Sequence, residues 1–239
     1  MDRAGSMEEI RAIAAPGVHE AALALLPPPP ATVLDIGAGP GALSQRLLKG
    51  GYTVRACDVD PGQFRVAGIT CDPVDATARL PYDDGTFDAV ALVEVVEHLE
   101  HPLRAVQEAV RVAKTGGVIV VTTPNIQSFL ARSHFLLRGN YGRWYPDEDF
   151  LGEDPRPGFN HIMPLHPLAV RRLIRKSGAV VEEVRANDLL EVRAMNSMFS
   201  LVGKAVEVFL VPFMRPRDRL LLQGDILVFR ARKVSGAAL

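Results

Sequence analysis

Glu94, Glu97 and His98, with His161 far along the chain, are residues whose types and spacing can do chemistry. If Glu94 opens a helical turn, the first three stand at i, i+3 and i+4 and converge on one side of it. A divalent metal is one use of such a set, with Glu94, Glu97, His98 and His161 as its four ligands. Proton removal is another: His98 or His161 acts as general base on a hydroxyl while the carboxylates balance positive charge nearby. A third use is structural, with Glu97 and His98 capping or pairing on an exposed helix. Residue type alone leaves all three open.

A second chemical feature is the run Val33-Leu34-Asp35-Ile36-Gly37-Ala38-Gly39-Pro40-Gly41. Its glycines let a ligand lie on bare backbone at the carboxyl end of a strand, against the amino terminus of the next helix. Gly37, Gly39 and Gly41 satisfy Gly-x-Gly-x-Gly, and with Ala42 the run also fits the Gly-x-Gly-x-x-Gly/Ala pattern of dinucleotide enzymes. Asp58, ending the second strand, accepts ribose hydroxyls under either reading. An NAD(P)-dependent oxidoreductase is therefore the alternative, against which stand Asp35 inside the first strand and the lack of a Tyr-x-x-x-Lys pair.

These side chains need elements to hold them. An apolar helical stretch from Gly17 ends at Leu26, and Pro27 to Pro30 cannot extend it. Thr32 to Ile36 then reads as a strand, Ala42 to Lys49 as a helix closed by Gly50-Gly51, and Thr53 to Cys57 as a second strand. A short strand near Ile69, a strand over Phe87 to Val93, a helix over Pro102 to Lys114 and a strand over Val118 to Thr122 follow. Strands separated by helices pair in parallel with right-handed crossovers, which gives a doubly wound α/β sheet. Pro167 opens a late helix that Gly178 closes, and strands over Val180 to Val184 and Asp225 to Arg230 form an antiparallel edge.

Through Asp35 to Gly41 the chain resembles the class I S-adenosylmethionine-dependent methyltransferases, whose first motif reads acidic-x-Gly-x-Gly-x-Gly. The resemblance runs on through Asp75-Ala76, Leu80 to Asp88, Glu94-Val95-Val96-Glu97-His98, Gly116-Gly117 and Thr123-Pro124-Asn125, covering roughly residues 31 to 125. It implies a seven-stranded, mostly parallel Rossmann-like sheet and S-adenosylmethionine as cofactor. Gly37, Gly39 and Gly41 would cradle the methionine part beside Asp35, Asp58 would take the ribose, Asp75 and Ala76 would lie by the adenine, and Glu94 would follow the fourth strand. An acidic pocket suits a sulfonium cation. Asp72 competes with Asp75, which stands at the family's distance from Leu80-Pro81. Only Pro61 to Gly68 separates the second strand from the third, too few residues for a full crossover helix.

The Glu-x-x-Glu-His motif with a later His resembles small-RNA end methyltransferases and ubiquinone-pathway O-methyltransferases, in which it holds a metal near the accepting hydroxyl. Metal dependence is not general among relatives with this motif, so His98 and His161 are favoured as catalytic bases over a metal at Glu94, Glu97, His98 and His161. The expected reaction is O-methylation of a small-molecule, glycan or lipid-linked acceptor; a module that keeps the cofactor without catalysis is a further alternative.

One domain over residues 1–239 is expected: a helical cap over 1–30, a cofactor-binding core over 31–125, a lid over 126–165, and a helix with edge strands over 166–239. The lid carries Phe129, Phe135, Tyr141, Trp144, Tyr145, Phe150 and Phe159, whose faces suit rings, sugars and prenyl chains or else form a small satellite core. Asn160 to Pro167 looks similar to methyltransferases of cell-surface glycan and lipid biosynthesis. Met195 to Met214, followed by Arg215, Arg217 and Arg219, packs as a helix or rests on a membrane surface. The helix with Arg171, Arg172, Arg175 and Lys176 reads as a solvated face.

Composition excludes several classes. Two cysteines, Cys57 and Cys71, form neither a disulfide framework nor a zinc motif, and the amino-terminal residues lack an export signal's apolar core. A cytoplasmic enzyme, peripheral to the membrane at most, is expected. The net charge of −1 argues against non-specific nucleic-acid binding. It hides a split: residues 1–110 hold 8 Lys/Arg against 16 Asp/Glu, and residues 111–239 hold 19 against 12. The acidic half is the one with the glycine loop.

Overall fold

In a computed structural model of the chain, residues 9–139, 141, 161–187 and 224–236 are described. The strands are β1 (Thr32–Ile36), β2 (Thr53–Asp58), β3 (Cys71–Pro73), β4 (Phe87–Leu92), β5 (Ala113–Pro124), β6 (Ala179–Ala186) and β7 (Ile226–Lys233). The helices are α1 (Val18–Leu23), α2 (Ala42–Lys49), α3 (Pro102–Val112), α4 (Phe129–Arg138) and α5 (Pro167–Lys176). The seven strands form one sheet in the order β3-β2-β1-β4-β5-β7-β6. All pairs through β5 are parallel, and β7 runs antiparallel between β5 and β6.

Alternation along the strands divides the core between the two faces. Val33, Ala89, Ala91, Val118 and Val120 pack with Val18 and Ala22 of α1 and Leu43 and Leu47 of α2. Leu34, Ile36, Val90, Leu92, Ile119 and Val121 pack with Ala105, Val106 and Ala109 of α3 and with Val170 and Ile174 of α5. Each fully buried valine, leucine or isoleucine among these contributes about 1.5–3 kcal/mol over its exposed state, and each alanine less. The strand order reverses where β1 separates β2 from β4, so a crevice opens at the carboxyl ends of β1 and β4.

The doubly wound sheet and its antiparallel edge are as expected; several boundaries differ. α3 stops at Val112 because Ala113 already pairs with Phe87, so the fifth strand begins five residues before Val118. The third strand lies at Cys71–Pro73 rather than at Ile69, and the connection to it holds only a 3₁₀ turn, Pro61–Gln63. Asp60 caps that turn by accepting from the Gly62 N–H. Among the described residues no helix is long and apolar enough to cross a membrane.

Candidate active site

Beyond Ile36 the chain turns back under the end of β2. The Gly37 N–H donates to the Cys57 carbonyl at 2.8 Å, and the Gly41 N–H to the Ala38 carbonyl at 2.9 Å. Asp58 fastens the middle of the loop: its Oδ2 accepts from the Gly39 N–H at 2.8 Å, and its Oδ1 from the Asp60 N–H at 2.9 Å. Two glycines have no substitute here. A Cβ on Gly37, at φ 71°, would stand 2.5 Å from Val95 Cγ2, and one on Gly41, at φ 97°, 2.4 Å from Val66 Cγ2. Above Gly39 nothing lies within 4 Å of such an atom, so the loop is packed at both ends and open in the middle. That open backbone, with a carboxylate beneath it and α2 starting at Ala42, suits an adenosyl amino acid.

Asp35 faces away from that opening. It shares the α2 face of β1 with Val33, is buried, and accepts from the Ser44 hydroxyl at 2.6 Å. Burial pushes its carboxyl up to about 7, against the opposing Ser44 bond and with the Asp58 charge adding to the rise. It braces strand against helix behind the loop.

The two acids near the third strand are sorted by their partners. Asp72 takes Arg55 through Nε at 2.8 Å and Nη2 at 2.9 Å, and the Tyr82 hydroxyl at 2.7 Å. Asp75 accepts only locally among the bonds resolved, from the Thr77 N–H at 2.7 Å and the Thr77 hydroxyl at 2.8 Å, in an exposed turn with Ala76 beside it. Asp72 thus ties β2 to the segment before β4, while Asp75 stands at the rim.

After β4 the geometry corrects one expectation. Glu94 does not open a helical turn: its φ is 56°, the only positive value outside glycine among the described residues, and the 3₁₀ turn begins at Val96. Its N–H donates to Thr122 Oγ1 at 2.7 Å, and the Thr122 hydroxyl donates back to Glu94 Oε1 at 2.9 Å. The i, i+3, i+4 alignment is therefore lost, and Glu94 is not in the group that converges. Glu97, His98 and His161 do converge, one ligand-capable atom from each lying within 4.8 Å of the others. The His98 and His161 rings are 4.6 Å apart at 60°. Glu97 is fully buried, and its carbonyl accepts from the N–H groups of Ile162 and Met163, both at 3.0 Å. That pair of bonds brings His161 to His98. One carboxylate and two imidazoles make a donor set that fits a divalent transition metal, or a general base with a partner that orients it.

Around this cluster, His166 caps α5 through Nδ1, which accepts from the Leu168 N–H at 3.1 Å, and its Nε2 meets the Gln127 amide. α4 exposes Leu130, Phe135, Leu136 and Leu137, and Phe135 stacks on Tyr141 with ring centroids 5.0 Å apart. Arg171, Arg172, Arg175 and Lys176 lie on the exposed side of α5, as expected. Trp144, Tyr145, Phe150 and Phe159 fall outside the described residues, as do Met195 to Met214 and Arg215, Arg217 and Arg219. Sequence reasoning passed over Ser44 and Thr122. Their signals were faint: a hydroxyl on the apolar side of α2 beside Leu43 and Leu47, and a threonine continuing the run Val118 to Val121.

Residues 34–121 match the family model described as a methyltransferase domain. A 2-methyl-6-phytyl-1,4-hydroquinone methyltransferase from Synechocystis is 36% identical over 107 residues, 41% of this chain and 33% of that protein. A ubiquinone biosynthesis O-methyltransferase from Xanthomonas campestris is 31% identical over 108 residues, 41% of this chain and 44% of that protein. The chain thus spans less than half the length of these curated relatives. Among solved structures, a Haloferax volcanii methyltransferase in complex with the Trm112 activator aligns over 93% of this chain and 91% of that one, with a TM-score of 0.61 and 17% identity. A SAM-dependent methyltransferase from Archaeoglobus fulgidus aligns over 86% and 87%, with a TM-score of 0.59 and 19% identity. Of the two cofactor readings that the glycine loop allows, the matches fall on one: residues 34–121 are similar to a methyltransferase domain, and the relatives matched over that stretch are methyltransferases.

Proposed function

We propose that this chain methylates a hydroxyl on a small, apolar acceptor, of which a ring hydroquinone is the leading type. The observation that carries the reading is the convergence of Glu97, His98 and His161 beside the turn whose Val95 packs on Gly37. The cofactor, when bound, supplies an electrophilic methyl carbon whose bond to sulfur breaks as the bond to the acceptor oxygen forms. Gly37, Gly39 and Gly41 hold its amino-acid part, Asp58 adds the ribose hydroxyls to the N–H groups it already accepts, and Asp75 and Ala76 border the adenine. Each Asp58 oxygen has a lone pair beyond the bond described, so the two uses are compatible. His98 or His161 takes the hydroxyl proton. Alignment in a closed site is worth about 7–11 kcal/mol at its best, more than any single proton transfer.

The apolar acceptor draws support from the exposed Leu130, Phe135, Leu136 and Leu137 on α4, which follows directly on β5. The relatives' names, all hydroquinone or quinone enzymes among those cited, point the same way. The test is transfer of labelled methyl to a panel of hydroquinones, catechols and sugars. Product on the phenolic acceptors supports the reading; product on sugars alone overturns it.

One observation favours a second reading. The carboxylate and two imidazoles within 4.8 Å would hold a divalent metal through Glu97, His98 and His161, without Glu94. The metal would bind the acceptor oxygen and lower its pKa. Manganese or magnesium that raises the melting temperature of the wild type but not of His161→Ala supports it; equal shifts in both oppose it.

A further inference from the structure

Three parts of the molecule meet at residues 94–98. Val95 Cγ2 occupies the space that a Cβ on Gly37 would need, so this turn is the wall against which the glycine loop closes. The Val95 carbonyl accepts from the His98 N–H at 3.0 Å, and the Glu97 carbonyl holds the segment that returns with His161. Where the turn starts, Glu94 sits in the left-handed region, which L residues enter only when their surroundings hold them there.

Thr122 does the holding. It lies on β5, is fully buried, and meets Glu94 twice: its oxygen accepts the Glu94 N–H and its hydroxyl proton goes to Glu94 Oε1. The first bond fixes the peptide that leads into Glu94; the second aims the carboxylate. Both pass through one oxygen, and valine has the same shape without it. Because the Thr122 hydroxyl spends its proton on a carboxylate, the bond is of the stronger, charge-assisted kind.

From this geometry we infer that Thr122 is a positioning residue for the cofactor: it never touches the ligand, and acts by locking Glu94, and so Val95, against the glycine loop. This rests on the proposed S-adenosylmethionine chemistry of the site. The role is distinct from packing, because threonine and valine fill the same volume while only threonine can hold both ends of Glu94.

The test is calorimetric titration of the full chain with S-adenosylhomocysteine. Thr122→Val weakens binding by about ten- to a hundredfold, the range for losing a hydrogen bond to a charged group, while Thr122→Ser stays within about threefold of wild type. Glu94→Ala weakens binding likewise, and the double variant Glu94→Ala/Thr122→Val is no worse than Glu94→Ala alone, since one residue acts through the other. In turnover, the KM for S-adenosylmethionine rises more than kcat falls. Wild-type affinity in folded Thr122→Val, or effects that multiply in the double variant, overturns the inference. If Thr122→Val does not fold, the comparison of Thr122→Ser with Glu94→Ala decides: a loss in Glu94→Ala with Thr122→Ser near wild type supports it, and wild-type affinity in Glu94→Ala sinks it. Wild type that takes up no S-adenosylhomocysteine overturns the parent function as well, so the two failures are told apart.

Discussion

The loop after β1 and the cluster after β4 lie at the same end of one sheet, yet they are assembled over very different distances in the chain. Gly37 and Gly41 are held by backbone bonds to Cys57 and Ala38, and the Asp58 carboxylate takes the N–H groups of Gly39 and Asp60, all within two consecutive strand ends. The Glu97, His98 and His161 cluster needs a return from residue 161 to residue 98, fastened through the Glu97 carbonyl. The first region is a backbone shape that tolerates one residue type; the second is a meeting of side chains that the rest of the fold must deliver. Mutations should therefore harm cofactor binding in the first region and chemistry in the second.

The largest effect that would sharpen this contrast is at His161. His161→Ala should lower turnover by about 10²–10⁴-fold while S-adenosylhomocysteine affinity is unchanged. Equal loss of both would make the two regions one unit and break the comparison. Next comes Gly41→Ala, where a methyl group must stand 2.4 Å from Val66 Cγ2 at φ 97°. It should cost on the order of 3 kcal/mol by thermal or urea unfolding and abolish cofactor binding. Gly39→Ala has the strain without the clash and should cost about 1 kcal/mol.

A pH effect follows from Asp35. In the unfolded chain its carboxyl ionises near the ordinary 3.8, and in the folded protein burial raises it to about 7. Between those values the unfolded state gives up the proton first, so this group's contribution to stability falls as pH rises from about 4 to about 7 and is level above. Asp35→Asn removes that ionisation. Its melting temperature relative to wild type should therefore be higher at pH 8 than at pH 5, and a difference constant with pH would place the Asp35 carboxyl in contact with water.

The smallest effect separates the two acids of the third strand. Asp72→Ala loses an exposed ion pair with Arg55 and the Tyr82 bond, for about 1 kcal/mol of stability or a little more, with cofactor affinity unchanged. Asp75→Ala should do the reverse. Exchange of the two outcomes would put Asp72 by the adenine.

The contrast between regions also explains what the sequence disclosed. The glycine loop was readable because φ values of 71°, 53° and 97° close to a strand end admit little but glycine, and the order of strands followed from apolar alternation. His98 with His161 was readable as a pairing of types. The conformation of Glu94 was not, because nothing in Glu-Val-Val-Glu-His distinguishes a helical start from a left-handed residue held by Thr122, 28 positions away. Ser44 was hidden for the same reason: its partner Asp35 is on another element. The cap of β5 onto α3 at Ala113 was set by pairing with Phe87, which no local pattern announces.

The central claim is that the open backbone over Gly39, with Asp58 beneath it, holds an adenosyl amino acid. Calorimetric titration of the wild-type chain with S-adenosylhomocysteine, and separately with NADH and NADPH, tests it most directly. Saturable one-site binding of S-adenosylhomocysteine in the micromolar range, with no heat from either nicotinamide, is the predicted result. No uptake of S-adenosylhomocysteine at millimolar concentration, or tighter binding of a nicotinamide, would contradict it.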